Sequence, residues 1–208
     1  MINDKHRFIF MHVPKVAGTS MESALENVED TKTLHWEQLK RERMVAKELS
    51  ENLDYHFFMF VRNPWDRIVS VYRHSMRKRR RFPRLSLSDW LIALRDFYVD
   101  KIDDGRLSTF DKRHARRQTA FVPNYDRRYF KTKLNGEVKN MFIGRFERLN
   151  EDFRQVTNWI GIGELKLPHD TWGSGSVDYR EWYDDETIEM VGELYKSDVE
   201  YFGYEFGE

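Results

Sequence analysis

Residues 12–20 (HVPKVAGTS) combine the residue types that bind a phosphate or sulfate group. The segment follows a short apolar run, precedes a helical pattern, and contains Lys15, Gly18, Thr19 and Ser20. Backbone N–H groups and the positive end of a helix dipole attract an anion at such a turn, glycine permits its close approach, and lysine adds a full charge. We therefore predict an anion site here. The alternative is an ordinary turn between a strand and a helix, with a solvated lysine.

The order of the residues in this segment argues against a Mg-ATP site. The nucleotide-hydrolase loop G-x-x-x-x-G-K-[ST] starts with a glycine and places its lysine directly after the second one. Here Lys15 precedes Gly18, and no glycine opens the loop. A P-loop kinase or NTPase is therefore kept only as an alternative function, which Mg-dependent ATP hydrolysis would support.

Residues 60–70 (FVRNPWDRIVS) form a second candidate anion site. Arg62 leaves the end of a predicted strand, and Ser70 lies about two turns into the helix that follows. Open α/β sheets bind ligands at the carboxyl edge of their strands, where both side chains could face an anion. Two such sites on successive strand–helix units indicate one doubly charged ligand. The alternative is that Arg62 pairs with Asp66 and that Ser70 faces solvent.

The elements that must position these segments predict an α/β fold. The apolar run at residues 56–61 (HFFMFV) is continuous, which is typical of a strand buried on both faces of a parallel sheet. Asn63 is a good N-cap, and Pro64 suits the first position of a helix. Strands are predicted at 7–13, 56–61 and 141–144, a hairpin around Asn135-Gly136 joins 129–134 to 137–142, and helices are predicted after Gly18, after Asn63, from Ser86 or Ser88 to about Leu94, at 150–160 and at 184–202. This alternation predicts a sandwich with a central parallel sheet.

The composition predicts one soluble domain over residues 1–208. The chain has 208 residues, of which 40% are hydrophobic, and its 35 basic and 35 acidic residues cancel. A balanced charge gives no overall field that would recruit nucleic acid or an anionic membrane. The absence of cysteine excludes disulfides, a thiol nucleophile and cysteine-ligated metals, and it fits a reducing compartment. No apolar run approaches the roughly 18 residues of a membrane span.

The two candidate segments resemble a known family. FMHVPKVAGTS (10–20) and FVRNPWDRIVSVYR (60–73) are similar to the donor-binding loops of sulfotransferases that use 3′-phosphoadenosine-5′-phosphosulfate (PAPS). The closest resemblance is to the carbohydrate type, sulfotransferase family 2, which includes the heparan and chondroitin sulfotransferases. Further similar segments are IGRFERLNEDF (143–153), LPH (167–169), YREWYDDE (179–186) and VEYFGYEF (199–206).

This resemblance implies a P-loop-NTPase-like, three-layer sandwich and a sulfuryl transfer to an acceptor hydroxyl of a carbohydrate or another small molecule. Arg62 and Ser70 would hold the 3′-phosphate of the donor, and no metal would take part. The 5′-phosphosulfate would be held by Lys15, Val16, Ala17, Gly18, Thr19 and Ser20. Lys15 would also be catalytic, because charge develops on the bridging oxygen during in-line transfer.

A histidine is the expected general base for the acceptor hydroxyl, since its ordinary pKa lies near about 6.5. We choose His35, which lies between the two segments, where the family's proposed base occurs. His114 and His169 are second choices. The remaining histidines have structural interpretations: His12 within the first strand, His56 at the start of a strand, His74 on a helix, and His6 before the core.

A basic run at residues 73–84 (RHSMRKRRRFPR) and a shorter one at 112–118 provide local positive charge. Such a run is typical of a solvated helix end, and it could also capture an anionic acceptor. A non-catalytic binder of anionic polymers is therefore another alternative function. The animal carbohydrate sulfotransferases have a membrane anchor and cysteines, which this chain lacks, so we expect a cytoplasmic enzyme of bacterial or viral origin.

Overall fold

The structure, a computed structural model, describes residues 1–33, 51–78, 84–123, 125, 138–168 and 178–208. These residues group into two compact units. The first contains the described residues of Met1–Val61 and Gln118–Trp172, and the second those of Arg62–Arg117 and Gly173–Glu208. The three-layer, single-domain arrangement over residues 1–208 stays a prediction.

The first unit is built on a mixed five-stranded sheet. Its strands are β1 (Ile2–Asn3), β2 (Phe8–Met11), β3 (Thr31–Lys32), β4 (His56–Val61) and β5 (Asn140–Arg145), in the order β3-β1-β2-β4-β5. The predicted parallel sheet is confirmed for β2, β4 and β5. It is wrong for the other edge, because β1 pairs antiparallel with both β2 and β3. A connection as short as residues 4–7 can join only antiparallel strands.

Strand β4, which lies between the parallel strands β2 and β5, explains the continuous apolar pattern of residues 56–61. Phe57, Phe58 and Phe60 are fully buried. In the register, Phe58 lies opposite Phe10 of β2 and Phe142 of β5. The ring centroids of Phe10 and Phe58 are 5.1 Å apart. Aromatic residues of β4 therefore pack against both neighbouring parallel strands, and the two candidate segments lie at the carboxyl ends of β2 and β4.

The described chain also contains α-helices. They are α1 (Gly18–Leu25), α2 (Pro64–Lys78), α3 (Leu87–Arg95), α4 (Thr109–His114), α5 (Leu149–Trp159), α6 (Asp185–Leu194) and α7 (Lys196–Phe202). Short 3₁₀ turns cover Gln118–Phe121, Phe146–Arg148 and Tyr179–Trp182, and a π-helical turn covers Asp96–Asp100. Within the described ranges, no helix has the length and apolar character needed to cross a membrane.

The second unit has its own aromatic and aliphatic core. Trp65 and Ile68 of α2 pack in one cluster with Trp90 of α3 and Val191 of α6. The predicted start of α2 is confirmed, because the Trp65 backbone N–H donates to Asn63 Oδ1 at 3.1 Å. The start of α3 is confirmed at the first of its two candidates: Ser86 Oγ accepts from the Asp89 backbone N–H at 3.0 Å. Capping residues therefore predict helix boundaries well in this unit.

The predicted single helix at residues 184–202 is wrong, because the chain breaks it at Tyr195. This residue has φ −110° and ψ 23° and separates α6 from α7. Its buried hydroxyl donates to the Ala115 carbonyl oxygen at 2.5 Å. The hydrogen bond satisfies a phenol that is otherwise costly to bury, and it fixes the residue where α6 ends. Hydrophobic spacing continues across the break, so periodicity alone does not reveal it.

The helix predicted at residues 150–160 is confirmed as α5, with a shift of one residue. The strand predicted at 141–144 is confirmed as part of β5. The Asn135-Gly136 turn of the predicted hairpin and its first strand lie outside the described residues. The last three residues of its second strand, 140–142, belong to β5 and pair with β4.

Candidate functional site

The loop between β2 and α1, residues 12–17, has an unusual backbone. Lys15 has φ 71° and Ala17 has φ 62°, so two residues with side chains adopt the left-handed conformation in close succession. Such a conformation costs of order 1–2 kcal/mol per residue and occurs preferentially at functional sites. Ala17 is the N-cap of α1 and has only a methyl side chain, which cannot accept from the helix N–H groups. The first turn of α1 therefore lacks the usual side-chain cap.

Burial divides the side chains of this loop into anchors and accessible groups. Val13 and Val16 are fully buried, whereas Lys15 is half-buried and Thr19 is exposed. Ser20 is buried near the surface in the first turn of α1. The two valines anchor the loop through their burial, while Lys15, Thr19 and the helix N-terminus lie within five consecutive residues. This set matches the chemistry of a phosphate or sulfate group.

His12 belongs to this loop and not to the strand, so its predicted position within the strand is wrong. β2 ends at Met11, and His12 Nδ1 lies 3.0 Å from Glu22 Oε1 in the second turn of α1. A Cβ atom at Gly18 would lie only 2.2 Å from the His12 ring. The imidazole therefore takes the space that a side chain at position 18 would need.

Glu22 is ionised in this environment. Burial opposes its ionisation, but the hydrogen bond with His12, together with electrostatic attraction to His12 and to the N-terminal amino group, outweighs burial and lowers the pKa of Glu22. The site thus contains a carboxylate in the second turn of α1 and an imidazole that lies against both Glu22 and Gly18. In the sequence, His12 and Glu22 are ten residues apart, one after the end of the strand and the other in the second turn of the helix. No common motif has this spacing, so the sequence alone does not predict the pair.

The second segment belongs to the second unit, and its arginine is already engaged. Arg62 Nε and Nη2 donate to Asp66 Oδ2 and Oδ1, each at 2.7 Å. This is the pair that the alternative interpretation of the segment expects. Asp66 accepts two of the five N–H donors of the guanidinium and fixes its plane. Ser70 is half-buried two turns along α2, and the role of both residues toward a 3′-phosphate stays a prediction.

Of the three histidines predicted as candidate bases, the structure describes only His114. His35, the first choice, and His169 lie outside the described residues. His114 is in the second unit, where its ring stacks on Phe110 with centroids 3.7 Å apart and its Nδ1 lies 3.0 Å from the Phe110 carbonyl oxygen. His74 stacks on the same phenyl ring at 4.7 Å. These contacts give His74 and His114 a packing role.

His56 also has a structural environment, at the start of β4. Its ring contacts Trp159 edge-on at 4.3 Å. Burial, with a smaller contribution from the charge of Arg7, lowers the pKa of His56. Its Nδ1 is buried without a hydrogen-bond partner among the residues that the structure describes.

Arg67 is a buried charge that the sequence patterns did not single out. The residue is fully buried in α2, and its Nη1 and Nη2 donate to the carbonyl oxygens of His114 and Arg116 at 2.9 and 2.6 Å. Its guanidinium also lies 5.6 Å from the centre of the Tyr195 ring. Arg67 therefore holds the short basic stretch at 112–118 against α2. A buried arginine looks like any surface arginine in the sequence, so only the fold reveals this role.

The longer basic run begins as the C-terminal end of α2. Arg77 and Lys78 are exposed in the last helical turn, where positive charge complements the helix dipole. Arg73 lies 5.8 Å from the centre of the Trp182 ring. Residues 79–83 lie outside the described part. No group of three or more acidic or histidine side chains in the described ranges could hold a metal ion, and the predicted absence of a metal stays a prediction.

Comparison with known proteins places the chain in a family. The model of the Sulfotransferase family matches residues 1–205, so the chain belongs to that family. Carbohydrate sulfotransferase 14 from Danio rerio is 28% identical over 193 residues, which are 83% of this chain and 51% of the relative. The Homo sapiens protein of that name is 25% identical over 177 residues, 77% of this chain and 46% of the relative.

The chain thus spans about half the length of these curated relatives. No solved structure matches it. The family membership predicted from the two segments is confirmed, including its carbohydrate type.

Proposed function

We propose that this protein is a sulfotransferase that moves the sulfuryl group of PAPS to a hydroxyl group. The observation that carries the proposal is the strained loop that leads from β2 into α1, whose N-cap has no capping side chain. A terminal anion of the donor would accept from the first N–H groups of α1 and replace the missing cap. The family match over nearly the whole chain supports the same chemistry.

In this proposal the loop holds the 5′-phosphosulfate. Val16, Ala17, Gly18, Thr19 and Ser20 would contribute backbone N–H groups, with hydroxyl donors from the last two. Lys15 would place its ammonium group at the bridging oxygen between phosphorus and sulfur. Negative charge grows on that oxygen as the bond to sulfur breaks, so a fixed positive charge there lowers the barrier.

The transfer itself needs one base. The acceptor oxygen attacks sulfur, the bond from sulfur to the phosphate oxygen breaks, and 3′-phosphoadenosine-5′-phosphate (PAP) leaves. The hydroxyl proton passes to His35 in our proposal, and the products are PAP and a sulfate ester. The chemistry requires no change of oxidation state and no metal.

Arg62 and Ser70 would bind the 3′-phosphate of the donor. Asp66 supports this role because it fixes the guanidinium plane through two hydrogen bonds, which prepares an arginine for bidentate contact with phosphate. A nucleotide that lacks the 3′-phosphate would lose this contact and bind more weakly.

We further propose a carbohydrate hydroxyl as the acceptor, as in the names of both curated relatives. Nucleic acid is not proposed, because the net charge of the chain is zero. A cytoplasmic location stays a prediction.

Thermal unfolding with nucleotides tests the donor. PAP at about 100 times its dissociation constant should stabilise the protein by ~2.7 kcal/mol, seen as a raised midpoint. ADP and Mg-ATP serve as controls, and equal or greater stabilisation by Mg-ATP would favour a kinase or NTPase. Transfer of radiolabelled sulfate from PAPS to a panel of neutral and anionic glycans then tests the reaction, and PAP binding without transfer to any acceptor would argue against catalysis.

A further inference from the structure

We infer that His12, held by Glu22, is a positioning residue that fixes the loop at residues 12–17 in its anion-binding conformation. The inference rests on the proposed function, because it assigns the loop to the PAPS donor. It adds a residue pair that neither the family loop nor the proposed chemistry assigns.

One side chain connects the two ends of this loop. His12 follows the last residue of β2, and its ring lies against Gly18, the first residue of α1. The ring also stacks on Phe10 of β2, with centroids 6.3 Å apart. Its Nδ1 reaches Glu22, one turn further along α1. A ring that contacts a strand, the loop end and the second helical turn restricts the relative position of all three.

The strained backbone of the loop needs such a restraint. Lys15 and Ala17 keep their left-handed conformations only if contacts with surrounding residues hold the backbone in place. The buried side chains of Val13 and Val16 hold the middle of the loop. The contact between His12 and Gly18 holds its ends. Without the imidazole, the loop ends are free to separate, and the ammonium group of Lys15 moves with them.

The charge of Glu22 makes the pair more than a packing contact. An ionised carboxylate in the second turn of α1 repels an anion bound at the N-terminus of the same helix. His12 lies between them and donates its Nδ1–H to that carboxylate, which leaves Nε2 on the side of Gly18. The imidazole therefore screens the carboxylate from the donor while the carboxylate orients the ring.

Four single variants separate positioning from general stability. His12→Ala removes the ring, His12→Asn keeps an N–H donor near the position of Nδ1, and Glu22→Gln removes the charge. Glu26→Gln is the matched control, because it makes the same change one turn later on the exposed face of the helix end. PAP affinity by calorimetry and kcat are measured at a temperature at which every variant is folded.

We expect His12→Ala to weaken PAP binding about tenfold and to lower kcat about a hundredfold, the effect of a misplacement of about 1 Å in an active site. His12→Asn should recover most of both losses, and Glu22→Gln should lie between. Glu26→Gln should stay within twofold of the unmodified protein. If His12→Ala lowers only the unfolding midpoint and leaves the PAP affinity and kcat unchanged, the ring has only a structural role and the inference is wrong.

A compensating pair of substitutions gives an independent test. Gly18→Ala alone should lower the unfolding midpoint, because the new methyl group overlaps the His12 ring. In the double variant with His12→Ala the methyl group has space, so the midpoint should recover while PAP binding stays weak. Recovery of PAP binding in the double variant would overturn the inference. Failure of the unmodified protein to bind PAP would instead overturn the proposed function, so the two failures are distinguishable.

Discussion

The helices α1 and α2 each follow a parallel strand of the sheet, but they begin in opposite ways. α2 starts with an Asn63 cap and Pro64 at its first position, and the Asn63 amide also donates to the Glu205 carbonyl oxygen at 2.8 Å. α1 starts after a strained loop, at an alanine that cannot cap it. A side chain therefore caps the start of α2, whereas no side chain caps the start of α1.

The charged residues at the starts of α1 and α2 also differ. Arg62 at the start of α2 is paired with Asp66, an acid in the first helical turn. The first turn of α1 has no acid, and Glu22 in its second turn is engaged by His12. Under the proposed function, the first loop would stabilise the charge that develops during the transfer. The second segment is built to hold an arginine in a fixed orientation.

The largest effect should come from Lys15→Ala. If the first loop stabilises the leaving group, this change should lower kcat by about 10²–10³, as removal of one key electrostatic group does, with a smaller loss of PAP affinity. Lys32→Ala is the control, because Lys32 lies in the same unit in an exposed ion pair with Asp4. Steady-state transfer from PAPS measures both, and equal rates for the two variants would remove Lys15 from the mechanism.

The next largest effect should come from Arg62→Ala, which tests the second segment, residues 60–70. Arg62→Ala should weaken PAP binding by about 10–100-fold, the value of a hydrogen bond between charged groups, and should leave the affinity for ADP unchanged. At saturating donor, kcat should change little, because the 3′-phosphate does not take part in bond breaking. Arg77→Ala, in the exposed last turn of the same helix, is the control. An equal loss for PAP and ADP would contradict the assignment of Arg62 to the 3′-phosphate.

The sequence predicts this contrast only in part. The Asn63-Pro64 cap and the apolar run of β4 are local signals, and both led to the correct elements. The break at Tyr195 and the burial of Arg67 depend on contacts with Ala115, His114 and Arg116, which are distant in sequence. No periodicity contains such information.

The candidate site shows the same limit. The segment with Lys15 and Gly18 can be recognised as a candidate anion site from residue types alone. The strand, the glycine-containing turn and the helix that form it each have a signal in a few neighbouring residues. The role of His12 is not, since it depends on where β2 ends and on how close the ring comes to Gly18. The antiparallel strands β1 and β3 were missed because each has only two residues.

A smaller effect should appear in stability at the two helix starts. Asn63→Ala removes both a cap and the contact with Glu205, so it should lower the free energy of unfolding by about 1–2 kcal/mol. Ala17→Gly should raise it by about 0.5 kcal/mol, because glycine avoids the left-handed penalty at a smaller entropic cost. Urea unfolding without ligand measures both. Destabilisation by Ala17→Gly would show that the first loop is not strained as the comparison requires.

The smallest effect concerns pH and the carboxylate of Glu22, in the second turn of α1. The pKa of Glu22 is lowered in the folded protein, so its contribution to stability is present above the ordinary value of 4.5 and is lost as the pH falls below it. Because the pair is partly exposed, we expect this contribution to be below about 1 kcal/mol. Glu22→Gln should therefore lower stability at pH 7 and have a smaller effect near pH 3.5. Glu26→Gln is again the control for the loss of one glutamate charge. If Glu22→Gln costs as much at pH 3.5 as at pH 7, His12 restrains the loop through its ring contacts alone, and the charge of Glu22 contributes nothing to the folded state.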